Sequence, residues 1–127
     1  YLRNIINSEA RHCEAHVSRI QSSPLDPSRP DALEEMREHA AEAAKFLKTL
    51  ANEQRLLILC TLAEGEQNVS QLNTKVALSP SALSQHLACL REAEFVKTRR
   101  ASQAIYYQLA DRRVEQIMGV LKELFCP

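Results

Sequence analysis

The sequence contains no tryptophan, only two glycines, and just three tyrosines and three phenylalanines in 127 residues. Sandwiches and barrels lean on aromatic strands and glycine turns, so this profile suits a helical domain rich in Leu, Ala and Ile better than either. No apolar run is long enough to span a bilayer, and the opening Tyr1-Leu2-Arg3-Asn4 lacks the hydrophobic stretch of a secretory signal. The chain therefore reads as cytosolic. There is no Cys-x-x-Cys and no strand–helix–strand pattern, which argues against a small thiol oxidoreductase. His86 has no visible partners for a hydrolytic constellation. Neither a catalytic residue nor a bound cofactor or metal is expected, and the chain reads as a non-enzyme. Net charge is lacking too: 16 Lys and Arg balance 16 Asp and Glu.

That balance hides an uneven distribution. Residues 31–66 carry four basic and eight acidic side chains, whereas residues 67–110 carry five basic (Lys75, Arg91, Lys97, Arg99, Arg100) and two acidic (Glu92, Glu94). Phosphate binding requires a local basic surface rather than a basic protein. The surplus is small, so tight binding to a polyanion would depend on two copies acting together.

At 45% hydrophobic content, the length suits one domain with a real core. Residues 1–30 read as an extension: a possible helix over 1–22, then three prolines (Pro24, Pro27, Pro30) forming a linker. The domain proper, 31–127, opens at Asp31. Leu33, Met36, Ala40, Ala43, Ala44, Leu47 and Leu50 keep helical spacing. A second helix begins at Asn52, carries Leu56, Leu57, Leu59, Cys60 and Leu62, and is capped by Gly65.

The segment from Val69 to Phe95 is the most informative. Val69 to Val76 reads as a short helix, and Ala77-Leu78-Ser79 as a tight turn. Ser79 suits an N-cap and Pro80 the first helical position. In the helix that follows, Leu83, Leu87 and Leu90 form a core-facing stripe, leaving Ser81, Ser84, Gln85 and Ala88 outside. A short helix, a small turn and a second helix with a small polar outer face make a helix-turn-helix, whose outer face must enter a major groove and reach base edges. Val96 to Arg100 and Ala104 to Leu109 follow as paired strands, with Ile105, Tyr107 and Leu109 alternating inward and a tip at Ala101-Ser102-Gln103. This hairpin is a wing whose Lys97, Arg99, Arg100 and Gln103 are candidate DNA contacts beside Ser81, Ser84, Gln85 and His86. His86 is also compatible with a purely structural role.

A last helix, about Asp111 to Phe125, has a wide apolar face of Val114, Ile117, Met118, Leu121, Leu124 and Phe125. The first and last helices either cover the core or form a seam between two copies. The dimer is the reading preferred here, because a palindromic operator needs two recognition helices about 34 Å apart. The expected fold is mainly α with a small β-hairpin, a winged helix-turn-helix dimerising through its N- and C-terminal helices and binding double-stranded operator DNA.

The blocks Leu50-Ala51-Asn52-Glu53-Gln54-Arg55-Leu56-Leu57-Ile58-Leu59, Ser79 to Arg91 and Ile105 to Leu109 resemble the ArsR/SmtB family of bacterial repressors over about residues 33–126. The resemblance implies a dimeric repressor that leaves DNA when an inducer arrives. The family's frequent glycine and extra arginine at the wing tip are replaced here by Ala101 and Gln103. Its arsenic-type Cys-x-Cys site is missing, since Asn68, Val69 and Ser70 occupy that place. Its zinc-type Asp-x-His site is missing as well, since Asp111-Arg112-Arg113 has no histidine after it. Cys60 and Cys126 resemble a subgroup that senses reactive sulfur species or oxidants through two thiols, which a disulfide or polysulfide bridge joins to release DNA. The resemblance thus implies that Cys60 and Cys126 form a redox switch with a small sulfur-based or oxidising inducer. Alternatives within the family are arsenite sensing through a set drawn from Cys13, Cys60, Cys89 and Cys126, and haem response through Cys126-Pro127. His12, Cys13 and His16 suggest either a metal site or one side of an amphipathic helix. Cys89 reads as a packed thiol or an oxidisable one beside the recognition face.

Overall fold

The computed structural model describes residues 31–126. The expected helix over 1–22, the proline-rich linker and Cys13 lie outside the described residues. Internal contacts divide the chain into two units, 1–44 and 45–127. Helix α1 (Ala32–Leu50) starts in the first unit and ends in the second. In the first unit its Leu33 and Met36 are exposed, and Glu34 pairs with Arg37 one turn on.

The second unit holds every other described element. These are α2 (Glu53–Ala63), β1 (Gln67–Asn68), α3 (Val69–Lys75), α4 (Pro80–Glu92), β2 (Val96–Ala101), β3 (Ala104–Leu109) and α5 (Arg112–Phe125). The strands form one antiparallel sheet in the order β1-β3-β2. The mainly helical winged helix-turn-helix expected from the sequence is present. Among the described residues no helix is long and apolar enough to cross a membrane.

Local chemistry accounts for the helix boundaries. Asn52 caps α2 by accepting from the Arg55 N–H at 3.1 Å, and the Arg55 Nε donates to the Thr49 carbonyl at 2.6 Å, fastening the end of α1 to the start of α2. Glu64, not Gly65, is the C-cap of α2. Gly65 follows at φ +146°, where a side chain would be strained. Asn68 and Gln71 form a reciprocal capping box at α3. Strand β1, which supplies that cap, was not anticipated: two residues carry no period.

Helix α4 ends in a Schellman motif. The Phe95 N–H reaches the Leu90 carbonyl at 2.9 Å and the Glu94 N–H reaches Arg91 at 3.0 Å. Buried Phe95 and Leu90 supply the accompanying hydrophobic contact. The left-handed residue in the motif is Glu94, at φ +60°, where glycine is the usual occupant.

Every helix contributes to the core: Leu50 of α1, Ile58, Leu59 and Leu62 of α2, Leu72 of α3, Leu83, Leu87 and Leu90 of α4, and Val114 and Met118 of α5. Among the described residues no polar or charged residue is buried, so apolar burial and backbone hydrogen bonding carry the fold. The Phe46 and Phe95 rings meet with centroids 5.0 Å apart. Arg113 also lies over the Phe46 ring, 5.1 Å from its centroid.

The strand register refines the wing. Val96 faces Leu109, Thr98 faces Tyr107 and Arg100 faces Ile105, and the pairing continues to Ala101 and Ala104. The turn is therefore Ser102-Gln103 alone, with Ser102 at φ +57°. Ile105 was expected to point inward with Tyr107 and Leu109. It shares their face of the ladder but is 42% exposed, whereas Tyr107 and Leu109 pack against the core cluster.

Two stability predictions follow from these termini. Glu94→Gly removes the left-handed penalty and raises the unfolding free energy by about 1 kcal/mol, read by urea denaturation; a loss would mean that the Glu94 side chain compensates for its backbone. Asp111 caps α5 by accepting from the Arg113 N–H. Hydrogen bonding from the Arg113 side chain, first, and then the Arg113 backbone and charge hold its carboxyl below the usual range against the effect of burial. A depressed carboxyl stabilises the fold fully above its unfolded pKa and loses that contribution as pH falls through the folded value. Asp111→Ala therefore costs about 1 kcal/mol at neutral pH and progressively less in acid. A deficit that is the same at both ends of the acid range would contradict the assignment.

Candidate nucleic-acid interface and thiol pair

The leucine stripe fixes how α4 is rotated. Leu83 and Leu90 are fully buried and Leu87 nearly so. At 3.6 residues per turn, Ser81, Ser84, Gln85 and Ala88 must then lie on the opposite side, and all four are exposed. Ser79 starts the helix by accepting from the Ala82 N–H at 3.2 Å, with Pro80 in the first turn. The helix thus presents two hydroxyls, a carboxamide and a methyl outward, groups small enough to approach base edges. His86 flanks the stripe and is half-buried, away from the centre of that outer face. A groove of about 440 Å³ runs beside it, lined by Ser84, Ala88, Arg91 and Tyr107 among others. Arg91 is exposed there; the sequence counts it in the basic surplus but not among the candidate DNA contacts, although its place two turns after Ser84 on the same helix is a usable signal.

The basic wing residues divide between two faces. Alternation along β2 puts Lys97 and Arg99 on one side and Arg100 on the other. Arg99 grips Glu66 by donating from Nε and Nη2 and lies over the Tyr106 ring at 4.8 Å. The hydrogen bond from Arg99 lowers the Glu66 carboxyl below its ordinary range, against a smaller opposing effect of desolvation. Glu66 in turn raises the guanidinium of Arg99. Among the described residues no ion pair holds Lys97, Arg100 or Arg91. Gln103 is exposed in the turn.

Cys60, Cys89 and Cys126 are free thiols. Cys60 packs half-buried against the core from the third turn of α2. Cys126 is the exposed C-cap of α5, its N–H donating to the Lys122 carbonyl at 2.8 Å. Both line one cleft of about 350 Å³ between α2 and α5, together with Leu56, Leu57, Met118, Leu121 and Phe125. Glu53 and Lys122 are its charged lining residues. Cys89, half-buried on α4, is not part of it. Among the described residues no three of His, Cys, Asp and Glu are grouped as a metal ion requires.

Residues 52–98 match the family model of bacterial regulatory proteins of the arsR family. The chain is 43% identical over 97 residues to the transcriptional activator HlyU of Vibrio cholerae, across 76% of this chain and 90% of that one. It is 39% identical over 102 residues to the biofilm growth-associated repressor of Xylella fastidiosa, across 80% and 90%. Among solved structures it is similar to reduced HlyU from Vibrio cholerae, with a TM-score of 0.70 over 73% of this chain and 98% of that one at 43% identity. The Xylella fastidiosa repressor BigR gives 0.70 over 74% and 96% at 39% identity. The homodimeric winged helix-turn-helix DNA-binding domain of a Mycobacterium bovis protein gives 0.60 over 67% and 79% at 29% identity.

The Glu66 grip makes a prediction about the wing. If Arg99 serves a phosphate, Glu66 competes with the DNA for it. Glu66→Gln then strengthens binding to any duplex and steepens the slope of log affinity against log salt by about one, as measured by fluorescence anisotropy. An unchanged slope would mean that Arg99 does not reach the backbone.

Proposed function

The chain belongs to the arsR family of bacterial regulatory proteins, and from that premise we propose a repressor that grips its operator as a homodimer and lets go when Cys60 and Cys126 become linked. It is a DNA-binding transcription regulator and not an enzyme, as its relatives are. The observation that carries the DNA half of the proposal is the outward polar face of α4, held by Leu83, Leu87 and Leu90. Ser81, Ser84 and Gln85 read base edges in the major groove, while Lys97, Arg100, Gln103 and the flanking His86 contact the backbone. Arg99 joins them once it is released from Glu66.

The dimer half is supported by exposed apolar side chains on both outer helices: Leu33, Met36 and Leu47 on α1, and Val120, Leu124 and Phe125 on α5. A second copy removes these from water and supplies the second recognition helix. One of the similar structures is itself homodimeric.

The switch half is supported by the shared cleft of Cys60 and Cys126. In a reducing cytosol the pair rests as thiols, so a link between them acts as a signal and not as a staple. A direct disulfide needs Cα atoms about 4.4–6.8 Å apart, and inserted sulfur atoms span a longer gap. Either link ties α2 to α5, the helix that also meets the second copy. A change in their relative tilt alters the spacing of the two recognition helices. Coupling of about 1–3 kcal/mol would weaken DNA binding by about 5–150-fold.

The test is a gel-shift series on operator DNA, with and without inorganic polysulfide. Ser84→Ala or Gln85→Ala weakens specific binding by about 1–3 kcal/mol with little effect on non-specific DNA. Cys60→Ser binds normally but is no longer released by polysulfide. Release that persists in Cys60→Ser would move the sensor to another thiol, and intact specific binding in both α4 variants would move the reading surface elsewhere.

A further inference from the structure

The cleft that holds the two thiols is built unlike a site for small ionic oxidants. Leu56, Leu57, Met118, Leu121 and Phe125 form its wall, with Glu53 and Lys122 as its charged members. Glu53 and Lys122 are both exposed, so their charges stay in water at the margin. Its volume of about 350 Å³ is at the lower end for small-molecule sites and exceeds what a peroxide or a short inorganic sulfur chain fills. The apolar wall favours neutral apolar molecules and penalises any charge carried in beside the sulfur atoms.

We propose that this cleft binds small, uncharged, apolar organic disulfides and trisulfides and presents their sulfur atoms to Cys60 and Cys126. The proposal rests on the thiol-pair reading above and names the class of molecule that operates it. Cys126, exposed at the end of α5, loses its proton and attacks one sulfur of R–S–S–R. The S–S bond breaks, and R–S⁻ leaves and takes up a proton. The half-buried Cys60 thiolate then attacks the Cys126 sulfur of the mixed disulfide and expels the second R–S⁻. Two protein thiols are oxidised to one disulfide, and the ligand is reduced to two R–SH. With a trisulfide the products leaving are R–SH and R–S–SH. The side chains R rest against the leucines, Met118 and Phe125, so binding strength rises with their apolar area.

The experiment compares dipropyl disulfide with dithiodiglycolate, a dianionic disulfide of similar size. Formation of the Cys60–Cys126 link in the full chain is timed by mass spectrometry. Each rate is divided by that probe's rate with free N-acetylcysteine, which removes intrinsic reactivity. Burial of one propyl group is worth about fiftyfold, so the normalised rate for dipropyl disulfide should exceed that for dithiodiglycolate by at least about tenfold. Leu57→Glu, at a partly exposed wall position, should abolish that preference without preventing linkage by inorganic polysulfide. In parallel, dipropyl disulfide is titrated into the Cys60→Ser, Cys126→Ser double variant, where no covalent step is possible. Saturable shifts of the Met118 and Leu121 methyl resonances are expected.

Equal normalised rates, or methyl resonances that do not move because a second copy closes the cleft, overturn the proposal while leaving the polysulfide switch standing. Saturable binding with no link under any oxidant overturns the switch and leaves a cleft that binds without signalling.

Discussion

The burial of Leu83, Leu87 and Leu90 is the constraint on which the rest depends. These side chains contribute one face of α4 to the common core, and a helix with a fixed apolar stripe has no remaining freedom of rotation about its axis. The outward direction of Ser81, Ser84 and Gln85 is a consequence of that stripe rather than a separate feature. The caps serve the same end. Ser79 and Pro80 start the helix where the turn must end, and the Schellman motif at Glu94 directs the chain straight into the wing.

The two candidate functions share this frame. Helix α2 bears Cys60, and the loop that leaves it carries Glu66, which holds Arg99 on the wing. Helix α5 bears Cys126 and offers Val120, Leu124 and Phe125 to the surface. A link across the cleft would therefore act on an element tied to the wing and on an element available to a second copy. Such a link can change DNA affinity without touching any DNA-facing side chain, because packed helices shift as bodies and not residue by residue.

Much of this was legible in the sequence because the signals were local. Asn52, Ser79-Pro80 and Asp111 mark helix starts by their own hydrogen-bonding chemistry, and the leucine spacing in α4 gives both its buried and its open side. The features that escaped depend on distant partners or on the limits of periodicity. Strand β1 is two residues long and exists only because β3 offers it a ladder edge. Glu94 is an ordinary helix former placed in a glycine conformation by the turn it must make. Ile105 keeps the alternation of its neighbours, yet it is not among the side chains packed against the core, as Tyr107 and Leu109 are. Arg99 reads as a free cation until Glu66, 33 residues earlier, is seen beside it. The thiol pair was suggested by family resemblance. The apolar wall around it comes from three-dimensional packing, because residues of α2 and α5 share no sequence pattern that would announce a cleft.

The most direct measurement of the central claim is an NMR contact map of the isotopically labelled protein bound to its operator duplex. Intermolecular contacts are expected from the Gln85 side-chain amide and the Ser84 methylene to base protons in the major groove, with the Leu83, Leu87 and Leu90 methyls remote from DNA. Contacts confined to α1 or α5, with the outer face of α4 unaffected by the duplex, would contradict it.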